Sequence, residues 1–216
     1  MRFYKFLFAF CVSWFVFLCL LHYFSLRPPW LDEKFVLDSI ENLSFRAIFG
    51  PLRHSQVFPR LYLILIKFLS ERFSYNVLSL RFLPLLSMLF AFFIWAKVYK
   101  SAFSSRWEYL LALFSFSSSY HLSYYAAELK QYSMDVLVVG IFCLYIIYQR
   151  RYIEEKPTIL FGIVTFLLPL ALLFSYISFF LFWIVLYNFL FIARKDSRVS
   201  AATGGALPIS GSPRRA

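Results

Sequence analysis

Residues 6–26 read FLFAFCVSWFVFLCLLHYFSL, a stretch without Asp, Glu, Lys or Arg. About 21 residues rising 1.5 Å each make a helix roughly 31 Å long, enough to cross the hydrocarbon core of a bilayer. Charge returns at once in Arg27-Pro28-Pro29-Trp30-Leu31-Asp32-Glu33-Lys34. Two adjacent carboxylates therefore stand at the membrane surface directly after the first crossing. Arg-Pro-Pro-Trp follows the apolar run where a secretory leader would carry small residues, so the segment reads as a retained helix.

The same alternation runs on down the chain. The sequence is 61% hydrophobic and 15% charged, where a soluble domain carries about 25% charged residues. Long apolar runs parted by short charged clusters suit helices, which satisfy their own backbone in lipid; the ten-residue alternation of barrel strands is missing. The expected fold class is an all-α polytopic membrane protein. Six spans are expected, at about 5–26, 79–97, 107–123, 132–149, 158–175 and 177–193, the last two parted only at about Tyr176 as a tight hairpin.

Between the first two spans lies a long basic loop. Val36, Ile40, Leu43 and Ala47 recur along one side of Phe35–Phe49, and Asp38, Glu41, Asn42 and Arg46 take the other. This predicts an amphipathic interfacial helix, stopped by Gly50-Pro51. Leu61–Leu69 predicts a second, too short to span. Lys and Arg at the remaining segment ends put the N-terminus in the cytoplasm, although the first loop then lies outside with eight basic residues. The net charge of +11 is accounted for by such anchors and does not imply nucleic acid. Residues 196–216 hold none of the aromatics that crowd the rest, and read as a disordered, non-native tail beyond a core at 1–195.

Two constellations could carry chemistry. Asp32 and Glu33 either cap the interfacial helix, with Asp32 as the cap, or serve a reaction. Glu128, Tyr132 and Asp135 are spaced i, i+4, i+7, which sets them on one face of a helix opening the fourth span. Asp135 falls inside the apolar boundary, where an ionisable group is costly and points to function; a local pair with Tyr132 or Gln131 is the plainer reading. Cys11, Cys19 and Cys143 sit in apolar runs and form no disulfide or metal framework. His22, His54 and His121 lie at or near the outer side without metal-ligand spacing, so no cofactor is expected and a divalent metal is only a minor alternative. No glycine-rich phosphate loop occurs, which favours a donor held in lipid over a nucleotide.

On these residues, and on Pro59-x-x-Tyr62, Arg81 and Glu128-Leu129-Lys130-Gln131-Tyr132-Ser133-Met134-Asp135, the chain resembles the N-terminal part of a GT-C membrane glycosyltransferase. It is most similar to glycosyltransferase family 39 and the aminoarabinose transferases, over about residues 1–195. The resemblance implies a plasma (inner) membrane enzyme that moves a sugar from polyprenyl phosphate to an acceptor hydroxyl on a lipid, glycan or protein. It implies catalytic roles for Asp32, Glu33 and Asp135, with Asp32 as the general base. It implies that Arg53, Arg60, Arg81 and Lys130 stabilise the leaving phosphate, and that Glu128 and Tyr132 help to bind substrate. Gln56-Val57-Phe58-Pro59 departs from the Glu-Lys that precedes Pro-Pro in aminoarabinose transferases, which argues against that sugar. Family members run to about twice this length, so the chain is expected to be an inactive fragment. The rival class is a non-catalytic transporter or assembly subunit in which Glu128 and Asp135 relay ions; it predicts helices broken near the midplane.

Overall fold

The computed structural model describes residues 2–155 and 168–188, and every described regular element is helical. In chain order these are α1 (Arg2–Phe24), α2 (Leu31–Asn42), α3 (Arg60–Arg72), α4 (Val77–Ala102), α5 (Arg106–Ser117), α6 (Tyr120–Tyr125), α7 (Tyr132–Glu155) and α8 (Ser178–Asn188). Short 3-10 turns at Ala47–Phe49, Arg53–Ser55 and Leu168–Leu173 join them.

Among the described residues, three helices are long and apolar enough to cross a bilayer: Phe3–Phe24, Val77–Ala102 and Tyr132–Gln149. They answer to the spans expected at 5–26, 79–97 and 132–149. The segment expected to span at 107–123 is instead two helices parted at Ser118–Ser119. The serines account for the break. Ser117 Oγ donates to the Phe114 carbonyl and Ser123 Oγ to the Tyr120 carbonyl, each 2.9 Å away, so side chains compete with the helix ladder. At 12 residues α5 is about 18 Å long and does not cross alone. Of the last two expected spans, 158–167 and 189–193 lie outside the described residues, as does the tail at 196–216.

The helices pack about two apolar clusters. In the first, Phe15 of α1 stacks on Phe92 of α4 with centroids 5.0 Å apart and meets Phe116 of α5 edge-on at 5.5 Å. Cys11 and Cys19 are free thiols buried in this cluster. The second cluster joins Val36 and Ile40 of α2, Tyr62, Leu63 and Ile66 of α3, and Val138 and Phe142 of α7. On the other side of α1, Phe3, Phe6, Phe10, Trp14, Phe17, Leu21 and Phe24 form an exposed stripe at helical spacing, suited to lipid.

Contacts also fix which way the spans run. Tyr23, near the end of α1, donates to the Leu78 carbonyl at the start of α4 (2.7 Å), so these two helices are antiparallel. α4 and α7 run the same way and approach closely at Gly140. A Cβ there would come within 2.9 Å of Trp95 Nε1 and 3.0 Å of Ile94 Cγ2, and Trp95 Nε1 is itself held by the Val136 carbonyl at 3.0 Å.

The interfacial helices differ in detail from expectation. α2 begins at Leu31, four residues before the expected Phe35, and ends at Asn42 rather than running to Gly50. Lys67 of α3, buried at 4% exposure, donates to the Ile40 carbonyl in the last turn of α2 at 2.6 Å and pairs with Glu71 at 2.7 Å. A cation there meets both the orphan carbonyls and the helix dipole. Burial alone would lower the Lys67 ammonium, but its bonds to Glu71 and Tyr75 hold it above its ordinary value.

Candidate functional site

The Arg27-Pro28-Pro29-Trp30 run turns the chain from the end of α1 into α2. Pro-Pro cannot extend a helix from α1, and Trp30 takes the extended backbone of an N-cap. That makes Asp32 and Glu33 the second and third residues of α2, so they point to different sides of its first turn.

Glu33 faces inward. It is 1% exposed, and Oε2 reaches back to the Trp30 amide at 3.2 Å, capping its own helix. Oε1 accepts from the Leu129 amide at 2.7 Å, and Oε2 pairs with Arg81 Nη2 at 3.4 Å. The cap expected at Asp32 is therefore supplied by Glu33. Asp32 faces outward, its side chain 41% exposed, with Oδ2 3.3 Å from Lys130 Nζ. Lys130 is 10% exposed at its side chain and lies over the Phe58 ring. Tyr62 of α3, fully buried, donates to the Lys130 carbonyl at 2.7 Å and fixes its backbone.

Glu128 is not on the α7 helix. The chain bends at residues 126–131, and α7 starts at Tyr132, so the i, i+4, i+7 face does not form. The reason is competition for the backbone. Arg27 Nη2 donates to the Tyr124 and Ala127 carbonyls at 3.3 and 3.0 Å, and Glu33 takes the Leu129 amide. Glu128 is 2% exposed and accepts from Trp30 Nε1 at 2.9 Å, while its Oε2 is buried without a partner. Burial pushes its carboxyl up; the Trp30 bond pulls down and the Glu33 charge pushes up, and the net direction is upward. Asp135, half-buried on α7, accepts from Ser175 Oγ at 2.5 Å, and Tyr132 beside it is exposed.

The carboxylates nevertheless converge. Burial first, and then the charges of Asp135, Glu128 and Glu33, hold the Tyr62 hydroxyl well above its ordinary value. Glu33, Glu128 and Asp135 thus lie near the Tyr62 hydroxyl, with Arg81 paired to Glu33 and the part-exposed Asp32 paired to Lys130.

Two expected members stand elsewhere. Arg53 pairs with Asp38 at 3.3 Å, in the middle of α2. Arg60 opens α3 half-buried, and among the described residues it makes no hydrogen bond or ion pair; its Nη1 is enclosed without a partner. Arg27 and Trp30 were not singled out by sequence. Arg27 lies 3.5 Å over the Tyr124 ring, with Nε and Nη1 buried and unpaired. The available signal was position: Arg27 is the first charge after the apolar run, and Trp30 directly precedes the acidic pair. Each histidine packs on aromatic rings, His22 on Tyr120 and Tyr124, His121 on Tyr120 and Tyr125, and His54 on Phe35. Among the described residues no group of three or more His, Cys, Asp or Glu is arranged to hold a metal.

No protein-family model, curated protein or solved structure matches this chain. The fold and site define a helical membrane protein with a mixed carboxylate and cation cluster at one end of its bundle.

Proposed function

We propose that this protein is a glycosyltransferase of the GT-C kind, moving a sugar from a polyprenyl-phosphate donor to an acceptor hydroxyl at the outer membrane face. The observation that carries the reading is the division of labour within the acidic pair. Glu33 is locked into the frame by three bonds, and Asp32 is offered to solvent beside Lys130.

In this reading Asp32 is the general base. Its carboxylate takes the proton from the acceptor hydroxyl as that oxygen attacks the anomeric carbon. The bond from that carbon to the phosphate oxygen breaks, the electron pair leaves with the lipid phosphate, and the configuration inverts. Lys130, whose Nζ lies 3.3 Å from Asp32, supplies positive charge for the leaving group. Glu33, Glu128 and Arg81 hold this arrangement from behind; Asp135 and Tyr132 border the side from which a sugar would enter. A groove of about 490 Å³ among Tyr23, Leu69, Phe73, Leu78 and Phe82 lies at the same end of the bundle and suits an aliphatic chain. The reading includes an N-terminus in the cytoplasm and a site outside, which gives the basic first loop a task there.

Donor binding tests this without requiring an acceptor. The purified chain in neutral detergent is expected to bind polyprenyl phosphate at least tenfold more tightly than polyprenol. Lys130→Gln should weaken that binding about tenfold, the worth of one charge-assisted bond. Equal affinity for the phosphate and the free alcohol would contradict the reading.

A further inference from the structure

At the end of the bundle opposite the carboxylates, three cations from three chain segments converge on one groove. Lys5 comes from the first turns of α1, Lys100 from the last turn of α4 and Arg106 from the start of α5; together with Ser104, Ser105 and Tyr109 they line about 400 Å³. All three cations are exposed, and among the described residues none makes an ion pair or hydrogen bond. Glu108, the acidic residue two positions past Arg106, is exposed and pairs with none of them.

Bringing three like charges together costs free energy unless an anion joins them. Arg106 adds to this cost, since it opens a helix whose N-terminal dipole already favours negative charge. The floor of the groove is apolar: Tyr109 is buried, and its ring lies 6.1 Å from that of Tyr4. The Ser104 hydroxyl is free to donate, and Ser105 Oγ accepts from the Trp107 amide while its own hydrogen remains available.

Depth decides which anion fits. The groove lies where two spanning helices, α1 and α4, meet the end of the apolar layer. Phe103 and Trp107 beside it are exposed at 40% and 66%, as aromatic residues are at the boundary between acyl chains and headgroups. A charged head with an attached acyl chain satisfies both parts of this environment. We propose that this groove binds the phosphodiester headgroup of an anionic phospholipid, held by Lys5, Lys100 and Arg106 with its acyl chains along Phe103 and Trp107.

The test uses the full chain, delipidated in neutral detergent, with phosphatidylglycerol or phosphatidylcholine added and bound lipid counted by native mass spectrometry. The wild type is expected to retain one phosphatidylglycerol at least tenfold more tightly than phosphatidylcholine. The combined Lys5→Gln, Lys100→Gln and Arg106→Gln variant should fall to the phosphatidylcholine level. Lys97→Gln, which removes a charge from the same end outside the groove, should change nothing. Should the triple variant fail to yield folded protein, Lys100→Gln and Arg106→Gln singly are each expected to weaken binding severalfold. Wild-type retention by these variants, an equal loss in Lys97→Gln, or displacement of the lipid by millimolar inorganic phosphate would each overturn the proposal.

Discussion

Glu33 and Arg81 form an ion pair with side chains 1% and 2% exposed, and Glu33 also accepts from two backbone amides. Removing one partner of such a pair leaves a buried charge without compensation. Glu33→Ala is therefore expected to lower stability by about 3–5 kcal/mol, read by thermal unfolding in detergent. A change below about 1 kcal/mol would show that the pair is not the frame described. Glu128 behaves in the opposite sense. Its carboxyl is raised by burial, so the folded chain binds that proton more tightly than the unfolded chain. The stability this confers is present at acid pH and is lost as pH rises through the ordinary carboxylate range to the raised folded value. Glu128→Gln keeps an oxygen for the Trp30 indole and removes that loss. The variant should unfold at a higher temperature than wild type at pH 8, with the gap closing toward pH 4; a gap independent of pH would count against a buried, charged Glu128. At this scale the sequence was legible only in part. Asp32 and Glu33 look alike as neighbours, and their separation depends on where α2 begins, which Trp30 and the distant Leu129 amide decide.

The helices themselves were legible where apolar periodicity was long. α1, α4 and α7 answer to uninterrupted apolar runs and needed little else. The short elements were not, because their limits are set by local bonds that compete with the ladder. Serine side chains end α5, and Arg27 and Glu33 hold residues 124–129 away from α7. Lys67 is a charged residue within the apolar stretch Leu61–Leu69, yet it is buried because the C-terminus of α2 needs a cation. The close contact of α4 and α7 depends on one small residue. Gly140→Leu gains about 1 kcal/mol in helix propensity. It also drives a side chain into Trp95, which the Val136 carbonyl holds in position. A net loss of about 1–3 kcal/mol is expected by thermal unfolding in detergent, and a stabilised variant would refute the close packing.

Across the whole molecule, the two ends of the bundle differ in chemistry. One gathers Asp32, Glu33, Glu128 and Asp135 with Arg27, Arg81 and Lys130; the other gathers Lys5, Lys100 and Arg106 around an apolar floor. The chain places these groups by turning back at each end, so residues about 97 apart in sequence meet at the site. Hydropathy foretold the helical membrane class, and the sequence set the acidic pair and the 128–135 segment on the same side of the membrane, although the helical face expected of Glu128, Tyr132 and Asp135 does not form. It could not foretell that Asp32 stays open while Glu33 and Glu128 are buried, since that follows from the tertiary bonds of Glu33 and Glu128. The central claim is that Asp32 serves as the base in sugar transfer from lipid phosphate. The direct measurement is transfer of radiolabelled sugar from polyprenyl-phosphate donors to envelope acceptors, in membranes holding matched amounts of wild type or Asp32→Asn. Against the inactivity expected of a fragment, the account predicts transfer by the wild type and a loss of at least about 100-fold in Asp32→Asn, the usual worth of a general base. Transfer by the variant at the wild-type rate, or none by the wild type, would contradict it.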